Sequence, residues 1–499
     1  NFYLRDSWVQ QQVEAVREAG MGFGSVAVGR GQKVMIEFVS VNPTGPVHVG
    51  HTRGAVLGSA LASIMDAAGF SVTREYYIND AGTQMDAFYR SVFARYMQAQ
   101  GQEAEMPANG YVGDYIVDLA GEILASQGSR FAQMDEEQGI KEIGNLAREK
   151  MVGLIRADLS LIGVDFDNWF SEGTLFQHGE YDKALEILRE NNYLSQRDGA
   201  LWFNSSVMGD DRDNVVVRST GEPTYFASDI AYHYNKFIER DFDTVVNIWG
   251  ADHQGHVPRM KLAVAALGVD AEKLTILISQ MVTLKRGQEL VKASKRTGDF
   301  VSLRELADEV GTDACRYFFL ARTPSTQMEF DLELAKEQSS ENPVYYVQYA
   351  HARIAALLRE AGEQGVDHSQ GDLALLTHEA EEALNVARSL RERLRGVRLD
   401  TPPERGGVTS DLVKEVRARL DLAGFRHVEI IVSGGFSPER IALFIERSAP
   451  VSSFWVGSYI SSSRPNDFTA DIHEIDGRPV AKRGRTPGVT VNPRLDRVM

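Results

Sequence analysis

The sequence predicts an α/β protein: a doubly wound parallel sheet carrying a helical insertion, followed by a helical segment and a partial β/α-barrel-like C-terminal segment. Three observations lead there. Apolar runs of strand length alternate with breaker-poor helical runs in the first 300 residues. A long helical stretch, about residues 86–200, separates the two halves of that alternation. Beyond about residue 395 the alternation tightens into short βα units, with loops at the strand C-terminal ends.

Residues 1–30 combine a helical segment with a Gly-rich stretch, Gly20 to Gly24, and read as the remnant of an N-terminal domain. Lys33 to Ser40 is a short apolar run of strand length, and Asn42-Pro43-Thr44-Gly45-Pro46 is a turn. A helix is expected from about Gly50 to Ala68 and a second strand from Ser71 to Ile78, which together make a βαβ unit and hence a parallel, Rossmann-like sheet. After the insertion the sheet is expected to resume near Val215 to Arg218, then at Thr244 to Trp249 and Leu274 to Ile278. Residues 31–300 therefore form one domain, 301–378 a helical segment, and 383–499 the βα segment. In the last, strands are expected at Gly396–Asp400, His427–Val432 and Ser453–Gly457, with helices at 409–423 and 437–447.

Composition narrows the class. A chain of 499 residues with 43 % hydrophobic and 25 % charged residues suits a soluble protein of about two to four domains. No apolar run approaches the ~18 residues of a membrane span, so no membrane partner is expected. The start, Asn1-Phe2-Tyr3-Leu4-Arg5, has no basic region leading into an apolar one, so it is no signal peptide; without an initiator Met it reads as truncated. Cys315, the single cysteine, cannot form an intrachain disulfide or a thiolate zinc site. Its place in an apolar helical face, Asp313 to Phe319, predicts a buried small hydrophobe in a reducing, cytoplasmic setting. Net charge is −17, yet residues 381–499 carry +3 and residues 1–380 carry −20. Any nucleic acid must therefore be met by a local basic patch, not by bulk charge.

Two motifs carry chemistry. His48-Val49-Gly50-His51 falls between a strand and a helix. The helix start offers unpaired N–H groups and a positive dipole end to phosphate. Gly50, lacking a Cβ, leaves room for a nucleotide against the backbone, and His48 and His51 can donate hydrogen bonds as charge builds at phosphorus. Some 240 residues on, Lys292-Ala293-Ser294-Lys295-Arg296-Thr297-Gly298 is a basic loop whose ammonium groups suit a triphosphate and its leaving pyrophosphate.

In order, spacing and context the two resemble the HIGH and KMSKS signatures of class I aminoacyl-tRNA synthetases. Ala293 stands where that family usually has Met and Arg296 where many members have Ser; Lys295 matches its catalytic lysine. Glu37 to His51, Pro223 to His233, Trp249 to His256 and Asn342 to Arg353 are similar to arginyl-tRNA synthetase in particular, over about residues 1–378. The resemblance implies a HIGH-type catalytic domain with His48, His51 and Lys295 as catalytic residues. It implies ATP binding by His48, Gly50, His51, His256, Lys292 and Lys295. Arginine would be held by Glu37, Asn42, Tyr225, Asp229 and His253. Asp229 would pair with the guanidinium, and Tyr225 and Asp229, at i and i+4, can share a helical face. Implied partners are ATP, Mg²⁺ carried on its phosphates with no protein ligands, L-arginine and tRNA(Arg). A monomer is expected. The first step would need bound tRNA, and a helical anticodon-binding domain should continue from Tyr345, of which only the first helix is recognisable.

Residues 383–499 resemble instead the C-terminal part of nicotinate phosphoribosyltransferase, on Gly396 to Pro402, Ile431 to Phe436 and Ala481 to Arg485. The Ser433-Gly434-Gly435 loop after a strand suits a phosphate. Ser452 replaces that family's usual Asp, Trp455 its usual Gly, and the first half of a barrel is absent. Three other readings stay open on sequence: a non-productive chimera, a tRNA-binding paralogue, and an HxGH nucleotidylyltransferase linked to NAD salvage.

Overall fold

A computed structural model describes residues 6–80, 82–287, 289–290, 301–339, 341–366, 371, 383, 386–388, 390–400, 407–456, 474–475 and 478–479. The chain divides into two compact units, Gly22–Asp367 and Asn1–Met21 with His368–Met499. Helix α1 (Asp6–Ala19) lies in the second.

The larger unit is built on a five-stranded sheet. β1 (Lys33–Glu37) is crossed by helix α2 (Val49–Ala67) to β2 (Ser71–Ile78), and the two strands run parallel with Val34 beside Val72. Helices α3 (Thr83–Ala99), α4 (Asp114–Gln127) and α5 (Glu136–Leu161) follow, packed on one another. β3 (Asn168–Ser171) then adds to the far side of β2. After α6 (Gly173–Gln177) and α7 (Glu180–Glu190) comes an antiparallel meander of β4 (Leu194–Arg197), β5 (Ala200–Phe203) and β6 (Asn214–Val217). Helix α8 (Tyr225–Tyr234) leads into β7 (Thr244–Gly250), and α9 (Val257–Ala266) into β8 (Leu274–Ser279). The sheet order is β3-β2-β1-β7-β8, all parallel.

The expected doubly wound α/β architecture is therefore present, with two differences in detail. The stretch 86–200 is not purely an insertion, because β3 inside it is an edge strand of the main sheet, held by Tyr76 stacked on Trp169 at 4.3 Å. Residues 215–218 do not return to that sheet; β6 ends a separate antiparallel meander, where it pairs with β5.

Strand alternation explains the layering. Val34 and Ile36 of β1 point into a core with Ala55, Val56 and Ala62 of α2, while Met35 points into a second core with Ile230 of α8 and Met260 of α9. Glu37 shares the parity of Met35. The close fit of α2 rests on Gly58: a Cβ there would stand 2.2 Å from Cγ of the fully buried Phe38. Gly58→Ala is expected to cost about 1–3 kcal/mol, as overpacking does, and to lower the Tm; an unchanged melt would mean Phe38 moves aside without cost.

The segment beyond the sheet holds β9 (Val282–Arg286) and β10 (Glu289–Leu290), then α10 (Leu303–Val310) and α11 (Thr312–Leu320). The expected helical segment 301–378 is not helical throughout: β11 (Met328–Asp331) interrupts it and pairs in parallel with β9. Helix α12 (Leu332–Lys336) and the long α13 (Pro343–Glu363) complete it. Cys315 on α11 is fully buried, and burial pushes its thiol up to about 12. No helix among the described residues is long and apolar enough to cross a membrane.

In the smaller unit β12 (Gly396–Leu399), β13 (Glu429–Val432) and β14 (Ser453–Phe454) are parallel and adjacent, with helices Ser410–Leu422 and Pro438–Glu446 between them. Leu399, Val413, Val416, Ile430, Val432 and Phe444 form their core. The last strand is shorter than expected; Gly457 lies outside the described residues.

Candidate active site

β1 and β7 are parallel neighbours, and their crossovers leave in opposite directions, to β2 on one side and to β8 on the other. Their carboxyl ends thus open at a topological switch point, where a doubly wound sheet binds its ligand. Beyond Glu37 the backbone takes two left-handed residues in succession, Val39 (φ +68°) and Ser40 (φ +43°). That conformation is costly for a β-branched residue. Ser40 anchors it: its hydroxyl donates to Glu37 Oε1 at 2.9 Å and accepts from the Tyr77 N–H at 3.1 Å.

His48 is the N-cap of α2, and its Nδ1 accepts from the Gly50 N–H at 3.0 Å. An accepting Nδ1 puts the neutral ring's proton on Nε2. The His51 ring stacks on it at 3.7 Å and 27°. A Cβ on Gly50 would stand 2.8 Å from Cε1 of His48, so this glycine makes room for the histidine as well as for any nucleotide. Lys292 and Lys295, with Ala293 and Arg296, lie outside the described residues. The chain immediately after them is laced onto the histidine turn: Val49 N–H donates to Val301 C=O at 3.2 Å and Leu303 N–H to Val47 C=O at 2.7 Å, with His48 bridged to Ser302. Two residues past His51, the buried Arg53 donates to the carbonyls of Gln280, Thr323 and Thr326 at 2.7–3.1 Å, which fixes α2 against the segments that lead into β9 and into β11.

The other candidate residues gather on the opposite side of β1. Asn42 donates to Gln84 Oε1 at 2.6 Å. A Cβ at Gly82 would stand 3.0 Å from the Tyr225 hydroxyl, so Asn42 and Tyr225 both reach the start of α3. Asp229 follows Tyr225 by one turn of α8. Burial, then the negative charges of Glu37 and Glu172, push its carboxyl up to about 7, against the opposing pull of Lys236 and Arg259. Glu172, directly after β3, is 4 % exposed, and burial raises its carboxyl despite hydrogen bonds with Ser228 and Tyr77. The Tyr77 hydroxyl is raised well above its ordinary value by burial and by Glu172, Asp229, Glu37 and Asp80. Asp80 is neutralised by Arg148 at 3.0 Å. Glu37 is paired with Lys236, Nζ to Oε2 2.6 Å. Between β1, β3 and α8 the three carboxyls of Glu37, Glu172 and Asp229 thus face two cations, Lys236 and Arg259, leaving the cluster short of one positive charge.

His253 and His256 lie on the turn after β7, so they border the same carboxyl edge. Their rings meet edge-on at 5.6 Å, and Asp252 lies 3.5 Å from His253. Burial, Arg259 and His253 hold the His256 imidazole below its ordinary value. None of the described hydrogen bonds or ring contacts joins His253 to Glu37, Asn42, Tyr225 or Asp229, so it groups with His256. Among the described residues no three His, Cys, Asp or Glu side chains stand together as a metal site.

Sequence reasoning missed Glu172 and Lys236. Glu172 sat in a stretch set aside as an insertion. A signal did exist for Lys236: Tyr225, Asp229, His233 and Lys236 repeat at i, i+4, i+8 and i+11, a polar stripe on an otherwise apolar helix.

Residues 13–342 match the family model described as tRNA synthetases class I (R), catalytic domain. An arginine–tRNA ligase of Dehalococcoides mccartyi is 56 % identical over 79 % of this chain and 70 % of that protein. A solved Campylobacter jejuni structure assigned as an arginyl-tRNA synthetase is 34 % identical, with a TM-score of 0.69 over 78 % of this chain and 84 % of that one. A Pyrococcus furiosus nicotinate-nucleotide pyrophosphorylase is 40 % identical over 23 % of this chain and 28 % of that one, at a TM-score of 0.17, too low to bear on the fold. With the histidine turn, the acidic cluster at the switch point and these matches in hand, the chain belongs to the class I arginyl-tRNA synthetase family.

Proposed function

We propose that this chain is an arginine–tRNA ligase, which activates L-arginine with ATP and transfers the arginyl group to tRNA(Arg). The observation that carries this is the buried acidic cluster of Glu37, Glu172 and Asp229, near the carboxyl end of β1 at the switch point. In the first step an arginine carboxylate oxygen attacks the α-phosphorus and the bond to pyrophosphate breaks. His48 and His51 donate hydrogen bonds as negative charge builds, and Lys295 and Lys292 neutralise the departing pyrophosphate. Gly50 and His256 border the nucleotide. Mg²⁺, carried in with ATP and given no protein ligand, would supply further neutralisation of the phosphate charge. In the second step a terminal ribose hydroxyl of the tRNA attacks the arginyl carbonyl and AMP leaves. Asp229 pairs with the guanidinium, Glu37 and Asn42 hold the α-amino end, Tyr225 covers the side chain, and His253 closes the edge of the pocket.

On this reading residues 31–300 are the catalytic domain, 301–378 lead into an anticodon-binding domain, and 1–30 are part of an N-terminal domain. Residues 383–499 are a partial phosphoribosyltransferase-like βα segment. Its parallel β12–β14 and its Ser-Gly-Gly turn support that, with Arg440 donating to the Gly434 and Gly435 carbonyls at 2.9 and 3.1 Å. The side chain of Trp455 lies over Arg398 at 5.2 Å, and no transferase activity is assigned to this segment. A reducing, cytoplasmic setting fits the single buried thiol, and the oligomeric state proposed is a monomer.

The test is incorporation of labelled arginine into tRNA(Arg), with lysine and glutamine as competitors and His48→Ala as control. Charging with arginine alone, lost in the control, is expected. Equal use of lysine, or full activity in the control, would overturn the reading.

A further inference from the structure

Lys236 is wholly buried, in the wide turn Asn235–Glu239 that ends α8. Its ammonium lies 2.6 Å from Glu37 Oε2 on β1, 3.0 Å from Asn247 Oδ1 on β7, and 4.0 Å from the centre of the Tyr232 ring. A buried ion pair is poor evidence of stability, since desolvation consumes most of the attraction and an apolar pair of similar volume would serve as well. The connections beyond the pair explain it better. Because Asn247 Oδ1 accepts from Lys236, its Nδ2 must donate, and it meets His233 Nε2 at 2.9 Å. That ring nitrogen therefore accepts, the proton lies on Nδ1, and Nδ1 donates to the Asp229 carbonyl at 2.7 Å. Burial holds His233 down to about 3, so the chain of donors keeps one arrangement at any ordinary pH. An unbroken line of hydrogen bonds thus runs from the Glu37 carboxylate to the turn of α8 that carries Asp229.

Resting on the arginine-binding reading above, we propose that Lys236 is a positioning residue of the arginine pocket. It fixes Glu37, it sets the α8 turn bearing Asp229 through Asn247 and His233, and it is the resident counter-ion that lets the acidic pocket be assembled before substrate arrives. The charged and titratable groups around Asp229 are Glu37 on β1, Tyr77 on β2, Glu172 after β3, Arg259 on α9, and Lys236 itself. Of the two cations, only Lys236 is also bonded to a candidate substrate ligand.

The experiment is calorimetric titration of the full chain with arginine, and separately with ATP, from pH 5.5 to 8.5. Lys236→Met is expected to weaken arginine about 10–50-fold, leave ATP within two-fold, and raise the pH below which arginine binding fades, because Asp229 loses a stabilising charge. Should that variant not melt cooperatively, Glu37→Gln/Lys236→Met, which removes both members of the buried pair, is compared with Glu37→Gln, in which Lys236 keeps its charge, and the pH midpoint must still rise between them. Arginine affinity and pH midpoint unchanged, or ATP weakened as much as arginine, would overturn the proposal. Absence of arginine binding by the unsubstituted chain would instead overturn the functional reading, and this inference with it.

Discussion

Asp229→Asn is expected to raise the KM for arginine about 10²–10³-fold, with the KM for ATP within a factor of two. The magnitude follows from what is removed: one member of a desolvated, charge-assisted guanidinium–carboxylate pair, typically worth about 3–5 kcal/mol when broken on one side. The pH behaviour identifies the group. The carboxyl of Asp229 is pushed up to about 7 by burial, Glu37 and Glu172, whereas only its ionised form pairs with the guanidinium. Arginine binding should therefore weaken about tenfold per pH unit below that value and release a proton there. In the Asn variant the steep fall should vanish. The stability sign is the reverse. An acid whose pKa is raised in the folded state carries a penalty when ionised; that penalty is full above about 7 and fades as pH falls toward the unfolded value near 3.9. At pH 8 the Asn variant should melt at or above the temperature of the unsubstituted chain, and the difference should disappear near pH 4. A flat pH profile for arginine binding, or an Asn variant that binds normally, would remove Asp229 from the site.

The parts of this fold legible in the sequence are those whose signal is local. β1, β2, β7 and β8 are apolar runs bounded by glycine and proline turns, and α2 has few breakers and a glycine–histidine start. β3 was hidden because Asn168–Ser171 is only four residues long after a 26-residue helix; its identity as a strand comes from β2 alongside it. The β4–β6 meander was misjoined because β6 is as apolar as a core strand, while its partner β5 is a four-residue strand at the very end of the supposed insertion. The site divides in the same way. His48, Gly50 and His51 stand out by spacing between a strand and a helix, whereas Tyr225 and Asp229 are implied by the family resemblance. Glu172 does not, because only the register of β3 brings it beside Asp229. Lys236 does not, because a lysine in a helix normally reads as solvated, and here tertiary packing leaves it 0 % exposed. The roles of Lys292 and Lys295 rest on motif resemblance, since they lie outside the described residues.

Gly50→Ala is expected to lower kcat for arginine charging by about 10²-fold or more while the chain melts within a few degrees of the unsubstituted protein. A methyl at Gly50 would stand 2.8 Å from Cε1 and 3.0 Å from Nδ1 of His48. The clash falls on a ring, not on the flexible end of a side chain, and that ring is held by the Gly50 N–H on one edge and by the His51 face at 3.7 Å on another. It must rotate away, and with it goes the cap of α2 and the Nε2–H direction. Loss of one preorganised donor at a developing anion costs about 10²–10³ in rate. The backbone itself resists little, because alanine is a better helix former than glycine by about 1 kcal/mol, which offsets the lost cap, worth about that much. The substitution thus separates catalysis from folding. His48→Ala should show a similar rate loss, and the double variant little more, since both act through one ring. Rate losses that multiply in the double variant would mean that Gly50 acts on the nucleotide directly and not through His48.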